Sequence, residues 1–190
     1  IVELVAMGGM GAVYRAEHVL MRKELAIKVL HPETEDFPEL VSRFEREAVA
    51  GAHIAHPNVA VASDFGKFDE DSRFLVLEYI RGRTLRELID EGPVPAQRAA
   101  GIAKQVASAL AAVHAKGIVH RDVKPRNIMI LPGPRHGEDV VKVIDFGLAK
   151  VPVDQLSQSA HDPDYGKQSL TAAGVVMGTE ANKEILAQSG

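Results

Sequence analysis

Asp122, Lys124, Asn127 and Asp145 between them supply the groups that moving a phosphoryl group requires. Asp122 offers a carboxylate that can orient or deprotonate a hydroxyl, and Lys124 places a cation beside the phosphoryl in transit. Asn127 offers an amide oxygen and Asp145 a carboxylate, the oxygen donors that a hard cation such as Mg²⁺ takes. They fall in two runs, His120-Arg121-Asp122-Val123-Lys124-Pro125-Arg126-Asn127 and Asp145-Phe146-Gly147. Alone, the first could be a capped turn and the second a chance tripeptide; in this order and context they argue for a site.

Two further charges lie where charges are costly. In Leu25-Ala26-Ile27-Lys28-Val29-Leu30 a lysine interrupts an apolar strand, and alternation puts Lys28 on the face of Ala26 and Leu30. A buried ammonium needs an anion. Glu47, three residues after Phe44 on the inward stripe of the next helix, is the candidate; the alternative is two surface charges that reach water on long stems. Upstream, Gly8, Gly9 and Gly11 between two strands would let backbone N–H groups approach phosphate oxygens, although the same spacing suits an ordinary glycine-rich hairpin.

The elements that must position these residues divide into a strand-rich and a helix-rich half, with the boundary near Arg81. Strands are expected over 1–6, 12–16, 25–30, 59–65 and 74–79. Apolar positions Leu40, Phe44, Ala48, Ala52 and Ala55 predict a helix over 37–55, ended by His56-Pro57-Asn58. Thr84-Leu85-Arg86-Glu87 has the spacing of a capping box, and a second helix over 95–116 carries Ile102, Val106, Leu110 and Val113 on one face. Short strands over 128–131 and 140–144 flank the turn-rich Pro132-Gly133-Pro134-Arg135-His136-Gly137. Residues 148–178 form a long segment with little periodicity and several Ser and Thr residues, of a length that is usually functional or disordered.

Composition narrows the classes. With 190 residues, 46% hydrophobic and 25% charged, the chain has the apolar content of a packed globular protein. A net charge of −4 gives no basic field for a nucleic-acid backbone, so no nucleic-acid partner is expected. The absence of cysteine excludes disulfides, a thiol nucleophile and Cys-ligated zinc, and suits a reducing cytoplasm. The longest uncharged stretch, 105–115, is too short to span a bilayer. His53 and His56 read as solvated or helix-capping residues rather than metal ligands.

The ordered set of motifs resembles the protein-kinase family, and within it the bacterial serine/threonine kinases of eukaryotic type. The resemblance covers residues 1 to about 179. It implies an α+β, bilobal fold: an antiparallel-sheet N-lobe over 1–80 and an incomplete helical C-lobe over 81–179, with ATP in the cleft between them. Gly8, Gly9 and Gly11 would cover the phosphates, Val13 and Ala26 would line the nucleotide site, Lys28 would hold the α- and β-phosphates, and Glu47 would fix Lys28. Leu77 falls at the gatekeeper position, with the backbone of Glu78 and Ile80 set to hydrogen-bond adenine. Asp122 would be the catalytic base, and Asn127 and Asp145 would hold Mg²⁺.

Lys124, two residues after Asp122, matches the branch that phosphorylates Ser or Thr of protein substrates, and Thr179 resembles the threonine that contacts the catalytic aspartate there. Arg121 matches kinases switched on by loop phosphorylation, with Thr171 the preferred phosphosite over Ser157, Ser159 and Ser169, and with two copies of the chain associating for phosphorylation in trans. Two other readings stay open: an ATP-binding regulatory module without transfer activity, and a small-molecule phosphotransferase of similar fold.

Three departures accompany the match. Ala6 replaces the first glycine of the loop, which is expected to stiffen the turn slightly. Gly51 stands where relatives place a larger apolar residue, which is expected to loosen the helix and weaken the pairing of Lys28 with Glu47. After Thr179 the family pattern gives way to an atypical tail over 180–190, so the sequence reads as cut short, with the apolar face of the second helix left partly uncovered.

Overall fold

A computed structural model describes residues 1–9, 11–67, 72–135 and 137–146. Three strands open the chain, β1 (Glu3–Gly8), β2 (Gly11–His18) and β3 (Lys23–Leu30). In β2 the residues Ala12, Tyr14, Ala16 and His18 are buried while their neighbours are not, and in β3 Leu25, Ile27 and Val29 repeat the pattern. This period of two folds one face of the sheet inward, where Phe74 and Val76 complete the cluster. With β4 (Ala62–Lys67) and β5 (Arg73–Glu78) the five strands form one antiparallel sheet in the order β1-β2-β3-β5-β4.

A 3₁₀ turn over Pro32–Asp36 precedes helix α1 (Pro38–His53), which begins on a proline already fixed in a helical φ. The helix ends where His53 Nδ1 lies 2.8 Å from the carbonyl of Val49, the capping role expected for that residue. α1 buries Phe44, Glu47, Ala48, Val49, Ala50 and Gly51. Phe44 packs with Leu30, Ala62 and Leu75 on the opposite face of the sheet from the first cluster and lies 5.8 Å from the ring of Phe65. Complete burial of a side chain of this size contributes roughly 2–3 kcal/mol.

The second half holds α2 (Leu85–Asp90), α3 (Ala96–His114) and a three-stranded sheet of β6 (Arg83–Thr84), β7 (Ile128–Pro132) and β8 (Asp139–Val143) in that order. The capping box at Thr84 is formed in both directions, between the Thr84 side chain and Glu87 N–H and between Glu87 and Thr84 N–H. Ile102, Ala109 and Val113 form the buried line of α3, with Val106 and Leu110 half-buried. Val49, Ala50 and Ile54 from the end of α1 share a core with Ala109, Val113, Ile118, Val143 and Phe146, so the two halves are packed on each other as well as joined by the chain.

Several expected boundaries shift for identifiable reasons. The strand expected from Val59 begins only at Ala62, because Val59 forms an isolated parallel bridge with Val143 and Ala60 N–H donates to Val143 O instead. Ala6 does not bear on the glycine turn: it lies inside β1, paired with Val13, and the turn is closed by the Gly8–Gly11 pair. The two-residue strand β6 is too short for any period to announce it. The segment 148–178 and the tail 180–190 lie outside the described residues.

Candidate active site

Lys28 and Glu47 meet. The register of the sheet sets Lys28 opposite Val13 on one side and Leu75 on the other, and α1 brings Glu47 Oε2 to 2.5 Å from Lys28 Nζ. Both side chains are withdrawn from solvent, 19% and 5% exposed, so the ion pair is a buried one. Burial alone would lower the Lys28 ammonium, but the charges of Glu47 and Asp145 and the hydrogen bond that Lys28 donates to Glu47 outweigh it and hold Lys28 above its ordinary value. Burial, reinforced by repulsion from Asp145, pushes the Glu47 carboxyl up against the pull of Lys28. Asp145 therefore acts on both members of the pair.

The glycine turn projects from the same sheet. Gly8 and Gly9 are exposed, and a Cβ on Gly9 would touch nothing within 4 Å. Gly11 has a packing reason to be glycine as well: a Cβ there would stand 2.1 Å from Val29 O, so the close approach of β2 to β3 requires its absence. His31 Nε2 lies 3.2 Å from Gly8 O and ties the turn to the end of β3.

A second cluster forms around Asp122. Lys124 Nζ donates to Asp122 Oδ2 at 2.6 Å, and Asn127 Nδ2 donates to Asp122 O at 3.0 Å and to Oδ2 at 3.1 Å. The bond from Lys124, aided by its charge and by Asn127 and His120 against the effect of burial, holds the Asp122 carboxyl below the usual aspartate value. Asp122 is thus ionised at neutral pH and able to accept a proton-bearing oxygen. Because the Asn127 nitrogen is engaged, its amide oxygen is the atom left to face a cation.

His120 joins this cluster to Asp145. Its Nδ1 accepts from Asp122 N–H at 3.3 Å and its Nε2 lies 3.2 Å from Ile144 O, an arrangement that requires the Nε2–H tautomer. Ile144 N–H donates to Asn127 O at 3.0 Å, and the His120 and Phe146 rings meet in a tilted contact, 44° between planes, with centroids 4.7 Å apart. Arg121 and Asp145 both adopt left-handed backbone conformations, φ 64° and 63°, which side-chain-bearing residues hold only where the surroundings compel them. No cluster of three or more His, Asp or Glu side chains able to hold a metal ion occurs among the described residues.

Comparison with known proteins decides the family. The family model described as protein kinase domain matches residues 1–171. The chain belongs to the protein kinase family. Among curated relatives, it is 39% identical over 177 residues to "Serine/threonine-protein kinase pkn3" of Myxococcus xanthus, covering 93% of this chain and 30% of that protein. It is 39% identical over 150 residues to "Serine/threonine-protein kinase PrkC" of Bacillus subtilis (78% and 22%), and 36% identical over 159 residues to "Serine/threonine-protein kinase PknB" of Mycobacterium leprae (82% and 25%). The chain therefore spans less than a third of the length of these relatives.

Within this kinase fold the remaining expected residues can be placed. Val13, Ala26 and Lys28 share the half-buried face of β2 and β3, and Ala26 is paired with Leu77 of β5. Glu78 and Ile80 follow directly; the Glu78 carboxylate is 2.7 Å from Lys142 Nζ on β8, and its backbone N–H donates to Val61 O at 3.0 Å. Thr171 and Thr179 lie outside the described residues.

Three contributors escaped sequence reasoning. His120 was legible only as part of a motif, whereas it bonds both halves of the site. Asn58 donates to Gln105 Oε1 at 2.9 Å and to Val141 O at 2.8 Å, and its own carbonyl accepts from Val143 N–H at 2.8 Å. Gln105 in turn accepts from Val141 N–H and donates to Asp139 O, so β8, which delivers Asp145, is fastened along its length. A polar residue recurring on an otherwise apolar helix stripe was the available signal for Gln105.

Proposed function

We propose that this chain is the catalytic core of a serine/threonine protein kinase that transfers the γ-phosphoryl of ATP to hydroxyls of protein substrates. The observation that carries the reading is the assembly of motifs distant in sequence: Lys28 paired with Glu47, and Asp122, bonded by Lys124 and Asn127, tied to Asp145 through His120 and Ile144. In this reading Val13, Ala26 and Leu77 enclose the adenine, and Gly8, Gly9 and Gly11 cover the phosphates. Because the Glu78 N–H is engaged by Val61, Glu78 contacts adenine through its carbonyl and Ile80 through its backbone. Lys28 holds the α- and β-phosphates, Asp122 receives the acceptor hydroxyl, and Lys124 neutralises the phosphoryl in transit.

The donor set of Asn127 Oδ1 and the Asp145 carboxylate suits Mg²⁺, which keeps several waters and takes its other ligands from phosphate. When bound, the ion would screen the negative charge of the phosphates. Relatives named as serine/threonine kinases support the acceptor class. Among the described residues no helix is long and apolar enough to cross a membrane, and we place the domain in the cytoplasm, where ATP is supplied.

Regulation by loop phosphorylation rests on Arg121. It lines a pocket of about 550 Å³ with Arg43 and Arg46 of α1, three guanidinium groups against one carboxylate, Glu39, in a chain of net negative charge. A phosphorylated Thr171, added in trans by a second copy, is the anion we assign to it. The deciding experiment is phosphoryl transfer to a generic protein acceptor by the full-length protein and its Asp122→Asn variant. Transfer abolished by the substitution, with ATP still bound, is expected. Binding of magnesium-ATP with no transfer by the parent would overturn the reading, and unchanged loop phosphate and activity in Thr171→Ala would remove the regulatory part.

A further inference from the structure

Gly51 is buried within α1, one helical turn beyond Glu47. A glycine at this position costs an exposed helix about 1 kcal/mol relative to alanine, so its presence calls for a packing reason. The reason is Ala62, the first residue of β4. A Cβ on Gly51 would lie 2.7 Å from Ala62 Cβ and 3.3 Å from Ala62 N, where apolar carbons need about 3.5–4.0 Å.

We propose that Gly51 is a positioning residue for phosphoryl transfer: the missing side chain sets how deeply α1 seats on β4 and thereby brings Glu47 within reach of Lys28. The strand has less freedom to yield than the helix, although Ala62 opens the edge strand beside an irregularity in its pairing with β5. Ala62 is paired with Leu77 of β5, and β5 is also the neighbour of β3, where Leu75 faces Lys28. β4, β5 and β3 therefore form one hydrogen-bonded body, and α1 is the part that lifts more readily. A displacement of about 1 Å would open the Lys28–Glu47 bond from 2.5 Å to about 3.5 Å, beyond hydrogen-bonding distance. Against expectation from the sequence, then, glycine here secures the ion pair rather than loosening it.

The inference rests on the reading of Lys28 and Glu47 as part of the ATP site, and the test keeps the two apart. In the full-length kinase, Gly51→Ala is expected to lower kcat/KM for ATP at least tenfold while Tm falls by only a few degrees, since the helix preference of alanine offsets part of the crowding. Adding Ala62→Gly removes the nearest contact, leaving 3.3 and 3.6 Å approaches that need only a few tenths of an ångström, and should restore activity to within threefold. Gly51→Ala with parental kinetics, or a loss that Ala62→Gly does not restore, would overturn the proposal. Should Gly51→Ala fail to fold, Ala62→Val crowds the same contact from the strand and must produce the same loss; full activity in that variant is also fatal. Glu47→Gln is the separating control: a loss there with none in Gly51→Ala refutes the seating argument alone, whereas parental activity in Glu47→Gln refutes the underlying reading of the pair.

Discussion

Substituting Asn58 should destabilise the domain in an order opposite to that expected from side-chain shape. The Asn58 amide nitrogen donates to two acceptors, Gln105 Oε1 and Val141 O, and Val141 is fully buried. Asn58→Ala removes both donors. Gln105 Oε1 keeps its bond from Val141 N–H, so one buried carbonyl is orphaned, at a cost of about 1–3 kcal/mol. Asn58→Asp is nearly isosteric, yet it points a carboxylate at two oxygen acceptors and adds charge repulsion and desolvation to the same loss, so it should be the worse variant by at least about 1 kcal/mol. Because a domain of this size loses roughly 2–4 °C of Tm per kcal/mol, the alanine variant should melt about 2–12 °C low and the aspartate variant lower still. Urea unfolding of the kinase domain in its full-length context, monitored at neutral pH, gives the ordering directly. KM for ATP should rise in both, since β8 leads into Asp145. A Tm within 1 °C of the parent for Asn58→Ala, or an aspartate variant more stable than the alanine one, would refute the donor assignment and the fastening role drawn from it.

Gly11→Ala should cost at least about 3 kcal/mol or prevent folding, because its Cβ would fall 2.1 Å from a backbone oxygen, whereas Gly9→Ala, facing open space, should change stability by less than about 0.5 kcal/mol; paired denaturation curves check both. Thr84→Ala, which removes the side-chain arm of the capping box on α2 and leaves the bond from Thr84 N–H to Glu87, should cost about 1 kcal/mol by the same measurement. The hydrogen bonds from Arg98, at 2.7 and 2.8 Å, outweigh burial and hold the Asp139 carboxyl below its ordinary value of 3.8. A carboxyl depressed in the folded state adds stability above its unfolded value and loses it as pH falls through the folded one. Asp139→Asn should therefore melt lower than the parent at pH 7, by an amount equivalent to about 1 kcal/mol or less since Arg98 is partly exposed, and the gap should close below pH 3.8. A gap independent of pH would show that the pair contributes nothing through charge.

The sequence was most informative where local chemistry and periodicity agree. Lys28 inside an apolar strand demanded an anion, and the stripe that placed Glu47 inward supplied it, so the pairing could be anticipated without knowing how helix and sheet cross. The Thr84 cap was equally visible, since its partner is three residues away. What escaped depends on contacts between segments remote in sequence. Gly11 and Gly51 carry no side chain to suggest what they approach, and only the register of β2 on β3 and the seating of α1 on β4 give them meaning. Asn58 read as a helix stop, and its three bonds to residues some 50 to 85 positions onward could not be inferred from that role. The strand expected from Val59 failed for the same reason, because Val143 claims Val59 and Ala60.

The left-handed backbones of Arg121 and Asp145 bear on how this domain responds to selection. Aspartate tolerates such a conformation better than most residues, but arginine gains nothing from it and carries roughly 1 kcal/mol of strain. A search for stability alone would replace Arg121 by glycine or asparagine, recovering that strain and discarding one of the three guanidinium groups around the α1 pocket. Under the regulation proposed for Arg121, thermostabilised versions of the domain would thus drift toward insensitivity to their loop phosphate. By the same token, if the proposed switch operates, the identity of residue 121 in descendants of this sequence would report whether it is still under selection.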